Sequence, residues 1–305
     1  EKYGDERRSQ IEYSGGDVSI EDLIADENVV ITISHAGYIK RTNLTEYKTQ
    51  NRGGVGQKSA GTRDQDFLEH MYVATNHQYM MFFTQKGKCF WMRVYEIPEG
   101  SKTAKGRALQ NLINIENDDK VKAFICTQDL KDKDYTNSHN LIMVTKKGQV
   151  KKTSLDKYSK PRVNGVAAIT IKDGDELLAA ELTDGNSHIM IAVKSGKMVR
   201  FEESKTRPMG RTASGVRGIT LKDETDEVIG MVSVNDMESE ILVVAENGYG
   251  KRSSIDEYRI TNRGGKGVKT LNITEKTGAL VSINTVTDAD DLMIINKSGL
   301  TIRMN

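Results

Sequence analysis

The sequence predicts an all-β, six-bladed, propeller-like fold of four-stranded antiparallel blades. Three observations carry that expectation: a repeat of about fifty residues, strand chemistry inside every repeat, and almost no helical periodicity. The repeat is anchored on short stretches of one form, an apolar run, a glycine, then basic or apolar residues. They read "ITISHAGYIKR", "MFFTQKGKCFWMR", "LIMVTKKGQVKK", "IMIAVKSGKMVR", "ILVVAENGYGKR" and "LMIINKSGLTIR", with Gly37, Gly87, Gly148, Gly196, Gly248 and Gly299 as the anchors.

Each element of the unit has its own signature. The apolar run before the glycine is rich in Val, Ile, Phe and Met, and the glycine marks a tight hairpin turn. Upstream lies a second apolar stretch that begins near an acidic residue, as in "DFLEHMYVAT", "DKVKAFICTQ", "DELLAAELTD" and "DEVIGMVSVN". Downstream, a glycine-containing loop returns into a short apolar strand: "GRALQNL", "GVAAITI", "GVRGITL", "GVKTLNI". That makes four strands per unit, and radial closure hides the sheet edges. The step from Gly87 to Gly148 is the longest, and "LKDKDYTNSH" (130–139) reads as a polar hairpin insertion. The segment "SIEDLIADE" (19–27) is the one helical candidate. In the sixth unit the sequence runs out soon after Gly299, so that blade is expected to be incomplete unless residues 1–30 supply part of it.

The 305 residues are 37% hydrophobic and 29% charged, the composition of a globular chain. No apolar run reaches the roughly 18 residues of a membrane helix, and "EKYGDERRSQ" has no signal-peptide core. Cys89 and Cys126 sit in apolar surroundings as small core residues, which fits a reducing cytoplasm and no membrane association.

The net charge of +1 conceals a segregation. Residues 37–63, 87–107, 146–162, 194–217, 248–269 and 297–303 are each net positive, and the remainder is strongly acidic. Equivalent segments occupy equivalent places around a radial fold, so the basic windows form a positive belt. A belt of that sign suits the phosphate backbone of duplex DNA, and acidic faces elsewhere confine the duplex to it. Aromatic residues are 6% and lie in strand runs, which argues against stacking on single strands.

Candidate backbone contacts are Lys40, Arg41, Arg52 and Lys58 in the first unit, and Lys102, Lys105 and Arg107 in the second. The third supplies Lys151, Lys152 and Arg162, and the fourth Arg200, Arg211 and Arg217. The fifth supplies Lys251, Arg252, Arg263, Lys266 and Lys269. In a regular strand the members of the pairs Lys40-Arg41, Lys151-Lys152 and Lys251-Arg252 point to opposite faces. Two glycine-rich segments, "TQNRGGVGQKSAGT" (49–62) and "TNRGGKGVKT" (261–270), offer backbone N–H groups to an anion. Both miss the nucleotide-binding pattern G-x-x-x-x-G-K-[ST] by one residue, so a phosphate-nest enzyme is disfavoured. No metal-ligand spacing links His35, His70, His77, His139 and His188. A protein-interaction propeller with basic loops stays open as the alternative.

"KYGDERR" at the start, the six units and "QNRGGVG" at 50–56 resemble the C-terminal domains of bacterial gyrase A proteins over essentially the whole chain. The resemblance implies a β-pinwheel, a propeller variant with strands exchanged between neighbouring blades, spanning 19–305 after a linker at 1–18. It implies a non-catalytic module that wraps duplex DNA with positive sense, giving the DNA gyrase holoenzyme its negative-supercoiling activity. Implied partners are the rest of gyrase A, together with gyrase B in a heterotetramer. ATP and magnesium are used elsewhere in that assembly, with no cofactor here. The family's box reads Gln-Arg-Arg-Gly-Gly-Lys-Gly. In its place stand Gln50, Asn51, Arg52, Gly53, Gly54, Val55 and Gly56, so Asn51 and Val55 remove two positive charges. Related topoisomerase IV domains are box-poor and usually have fewer blades.

Overall fold

The computed structural model describes residues 20–46, 66–290, 292–295 and 301–304. The segment expected to be a linker, 1–18, and the first glycine segment, with Gln50 to Gly56 and Lys58, lie outside the described residues.

The strands in chain order are β1 (Asn28–Ser34), β2 (Tyr38–Asn43), β3 (Leu68–Thr75), β4 (Tyr79–Thr84), β5 (Lys88–Arg93), β6 (Arg107–Ala108) and β7 (Val121–Thr127). Next come β8 (Asn140–Thr145), β9 (Gln149–Ser154), β10 (Val166–Ala167), β11 (Leu177–Thr183), β12 (His188–Val193), β13 (Lys197–Glu202) and β14 (Val216–Arg217). The last are β15 (Val228–Val234), β16 (Glu240–Ala245), β17 (Gly250–Ser254), β18 (Val268–Lys269), β19 (Leu280–Val286), β20 (Leu292–Ile295) and β21 (Thr301–Met304). A 3-10 turn follows β2, β5, β9, β13 and β17.

Every pairing within these sheets is antiparallel, and the sheet orders reveal exchange. They are β3-β1-β2-β6, β10-β5-β4-β7, β11-β8-β9-β14 and β15-β12-β13-β18, then three-stranded β17-β16-β19 and two-stranded β20-β21. This corrects the expectation of six four-stranded blades. Among the described residues, four sheets have four strands, the fifth has three, and the sixth unit forms a hairpin. The sequence units are also out of phase with the sheets. Both strands flanking a hairpin in sequence, such as β3 before and β6 after the β4–β5 hairpin, pair with the hairpin of the preceding unit.

Alternation explains why nearly all residues of the hairpin strands are buried. Met80 and Phe82 face back into a cluster with Val29, Ile31 and Ile33. Met81 and Phe83 face forward into a cluster with Leu141 and Met143. One strand thus serves two cores, and the same arrangement recurs at the next two junctions. Strands β7, β11, β15 and β19 pack against one another in succession. Edges that touch across successive blades lie nearest the axis, so the opposite edges, carrying β6, β10, β14 and β18, form the outer rim.

Two local expectations change. Segment 130–139 contains a short helix, α1 (Lys133–Ser138), capped by Asp132, whose Oδ1 accepts from the Asp134 and Tyr135 N–H groups at 2.9 and 3.1 Å. The helical candidate at 19–27 is a single 3-10 turn, Ile20–Leu23. The acidic starts of the upstream strands have a structural task. Asp66, Asp119, Asp175 and Asp226 accept from the turn N–H groups of Ala36, Lys86, Lys147 and Ser195 at 2.9–3.1 Å. No helix among the described residues is long and apolar enough to cross a membrane.

Candidate nucleic-acid interface

The rim is built from the return loops that leave each 3-10 turn and end in the short outer strand of the preceding blade. They run from residue 94 to 106, 155 to 165, 203 to 215 and 255 to 267. Strand exchange explains their glycines. Gly106, Gly165, Gly215 and Gly267 have φ of +78°, +67°, +86° and +72°. A Cβ on them would stand 2.5, 2.8, 2.6 and 2.6 Å from the carbonyl oxygens of Ile39, Cys89, Val150 and Met198. Glycine lets each loop cross onto the neighbouring hairpin at that point. The Gly264 N–H, expected to face an anion, donates to the Gly218 carbonyl at 2.6 Å. That segment is a joint.

Adjacent loops are tied together. Thr170 N–H donates to the Ala213 carbonyl at 3.2 Å, and Thr220 N–H repeats the contact with the Gly265 carbonyl at 2.9 Å. Arg263 Nε donates to the Lys205 carbonyl at 3.1 Å and its guanidinium to the Arg217 carbonyl at 3.3 Å. The rim segments of the last three of these units are therefore linked into a ridge.

The cations expected to contact DNA divide into two groups. Lys105, Arg107, Arg162, Arg217, Lys251, Arg252, Arg263, Lys266 and Lys269 are exposed, while Arg41, Lys102 and Arg211 are half-buried. Lys251 pairs with Glu257 at 3.4 Å, and Arg252 pairs with Glu240 and Asp288. Lys40, Lys151, Lys152 and Arg200 are buried, which corrects their assignment as surface contacts. Their heads meet main-chain carbonyls, all in the following unit except Ala168, which lies 17 residues beyond Lys151 in its own unit. Lys40 Nζ donates to the carbonyls of Ser101 and Lys102 at 2.8 and 2.5 Å, and Lys151 Nζ to those of Ala168 and Arg211, both at 2.5 Å. Arg200 donates to Ile255 and Tyr258 at 2.8 and 3.2 Å. Alternation within the Lys151-Lys152 pair sends neither side chain to solvent, because both faces of β9 are covered. The same loops also expose Lys157, Lys160, Lys205, Arg207 and Arg259, which sequence reasoning missed although the basic windows contain or adjoin them.

Burial lowers the Lys151 pKa to about 8, and the nearby Arg211 charge acts in the same direction. Between that value and the usual lysine range the unfolded chain holds a proton that the folded chain has released. Folding stability attributable to Lys151 therefore rises with pH from about 8 towards 10. Denaturant midpoints of the chain and of Lys151→Met, compared at pH 7, 8, 9 and 10, should diverge in favour of the lysine form as pH rises; a constant difference contradicts the assignment.

The exchanged strands, the inter-blade cores and the outer ridge define a class, the propeller-like domain built of strand-exchanging repeats. Five repeats, at residues 28–75, 78–128, 139–184, 187–235 and 239–287, match the family model "DNA gyrase C-terminal domain, beta-propeller". Each match spans one hairpin and the inner strand that pairs with it. The chain belongs to that family. It is 45% identical over 308 residues to the DNA gyrase A protein of Staphylococcus epidermidis, covering 100% of this chain and 34% of that protein. To the Staphylococcus aureus gyrase A protein it is 43% identical over 307 residues, with the same coverage. The chain thus spans about a third of the length of the curated relatives it matches. Among solved structures, the C-terminal domain of DNA topoisomerase IV matches with a TM-score of 0.75 at 25% identity, covering 92% of this chain and 84% of that one. The DNA gyrase A C-terminal domain matches with a TM-score of 0.71 at 26% identity, covering 91% and 89%.

Proposed function

We propose that this chain is a non-catalytic domain of a type II DNA topoisomerase that binds duplex DNA along its outer rim and wraps it. The observation that supports this reading is the recurrence of exposed Lys and Arg on the return loops of four consecutive units, the last three tied to one another at the rim. Phosphates take up such charge without base recognition, and a curved row of sites offsets the bending cost of about 1–6 kcal/mol per 20–30 base pairs. The full reading adds a sixth blade begun by the β20–β21 hairpin and action in the cytoplasm. It also adds the remainder of gyrase A, the gyrase B protein, and a heterotetramer that uses ATP and magnesium elsewhere. Asn51 and Val55 then loosen the first-unit contact relative to a fully basic box.

Titration of the chain with duplexes of about 20 and about 120 base pairs tests this, since wrapping favours the long duplex strongly. With about six phosphates neutralised, log K falls with log salt at a slope near −5, about 10³-fold between 50 and 200 mM. A slope near −1, or equal affinity per site for both lengths, overturns the reading.

A further inference from the structure

The fourth residue after the hairpin glycine occupies one structural position in successive blades, and in four of them it engages the next unit. Arg41 Nε donates to the Ile97 carbonyl at 2.9 Å, and its guanidinium lies 3.0 Å from Glu99. Lys152 Nζ donates to the Glu203 carbonyl at 3.3 Å and lies 3.6 Å from its carboxylate. Arg200 reaches the carbonyls of Ile255 and Tyr258. At the junction between the second and third hairpins the position is Trp91, whose ring centroid stands 6.4 Å from that of Tyr158. In every case the target belongs to the 3-10 turn of the next unit or to the residues just after it. The exposed cations follow a few residues downstream, for example Lys205 and Arg207 beyond Glu203, and Arg259 and Arg263 beyond Ile255.

We infer that Arg41, Trp91, Lys152 and Arg200 are positioning residues: each fixes the root of the next return loop, and together they set the step between successive cationic loops and hence the curvature imposed on DNA. The inference rests on the wrapping reading above. Three of the four side chains are cations, yet their charge is directed at main-chain carbonyls inside the protein. They act on a duplex through the loops they hold. A hydrogen-bonded head admits a narrow range of loop positions, because two carbonyls or a carbonyl and a carboxylate must be met at once. The aromatic pair at Trp91 fixes its loop by packing instead.

The test compares Lys152→Met, Arg200→Lys and Arg200→Met with the rim variant Arg162→Gln, using the 305-residue chain. Two quantities are read: the salt slope on a duplex of about 15 base pairs, and the linking-number change left on a relaxed circle resealed in the presence of the chain. The positioning variants should leave the salt slope unchanged, without the drop of about one that loss of a phosphate contact produces, while losing about half or more of the linking-number change. Arg162→Gln should lower the slope by about one and weaken short-duplex binding. Arg200→Lys keeps the charge but gives up the contacts that Nε makes to His188 and Nη2 to Met237, which hold the guanidinium plane in place, so it should show a partial loss. It also decides the matter if a methionine variant proves unfolded by circular dichroism. The inference is overturned if a folded positioning variant leaves the linking-number change intact, or lowers slope and linking number together as a direct contact would. If the unmodified chain leaves no linking-number change, the wrapping reading itself fails.

Discussion

Replacing Gly267 with alanine is expected to lower folding stability by about 2–5 kcal/mol. The position has φ +72°, which costs an L-residue about 1–2 kcal/mol. Its new methyl group would stand 2.6 Å from the Met198 carbonyl oxygen, with the Met198 carbonyl carbon at 2.7 Å and its nitrogen at 3.1 Å. All three are backbone atoms of β13, paired on its other side with β12, so the strand cannot withdraw without breaking the sheet. Relief requires β18 to detach from β13, and the rim loop would go with it. Gly265→Ala is the internal comparison, because its Cβ meets nothing nearer than 3.6 Å. That change should stay within about 0.5 kcal/mol. Denaturant midpoints at unchanged m-value separate the two. Equal losses for both, or a selective loss of DNA affinity in Gly265→Ala, contradict the role of the segment as a joint.

Glu203→Ala is expected to cost about 3–5 kcal/mol, the penalty for leaving a buried partner charge uncompensated. Glu203 has no exposed surface and is gripped by three strands of the preceding blade. Lys152 from β9 lies 3.6 Å from Oε1, Thr183 from β11 donates to Oε1 at 2.9 Å, and Asn140 from β8 donates at 3.4 Å. Alanine removes all three contacts and leaves the Lys152 head with the Glu203 carbonyl. Glu203→Gln keeps the shape and an oxygen acceptor, so its loss should be smaller. The double variant Glu203→Met with Lys152→Met should be less destabilised than the two single losses added, because the unpaired charge is gone. Strict additivity in a double-mutant cycle contradicts coupling across the blade junction.

Much of this architecture was legible in the residues, for identifiable reasons. The hairpin turns could be read because Gly37, Gly87, Gly148, Gly196 and Gly248 occupy φ between +80° and +84°, which other residues avoid. Blade membership could not, since antiparallel partners leave no mark of distance along the chain. Adjacent strands such as β3 and β4 look like neighbours in one sheet and belong to two. The rim was half legible. Clustered lysines and arginines marked the right loops, but Lys40, Lys151, Lys152 and Arg200 show in sequence as charge and in structure as donors to buried carbonyls. What the residues lack is the acceptor, which in each of these four includes a carbonyl from a unit about fifty to sixty positions away. The task of the acidic starts was hidden for a related cause: Asp66, Asp119, Asp175 and Asp226 hold turns whose amides lie some thirty positions earlier.

The out-of-phase pairing also bears on how the polypeptide is made and how it can evolve. A hairpin emerging from the ribosome must wait for the succeeding segment before its outermost strand arrives, so maturation of every blade trails synthesis by a full unit. The same rule constrains inheritance: a deletion that removes one unit strips its upstream neighbour of two strands unless the following unit can supply them. Only changes that preserve the hand-over, such as loss or gain of a whole period with matching joints, leave each blade a donor.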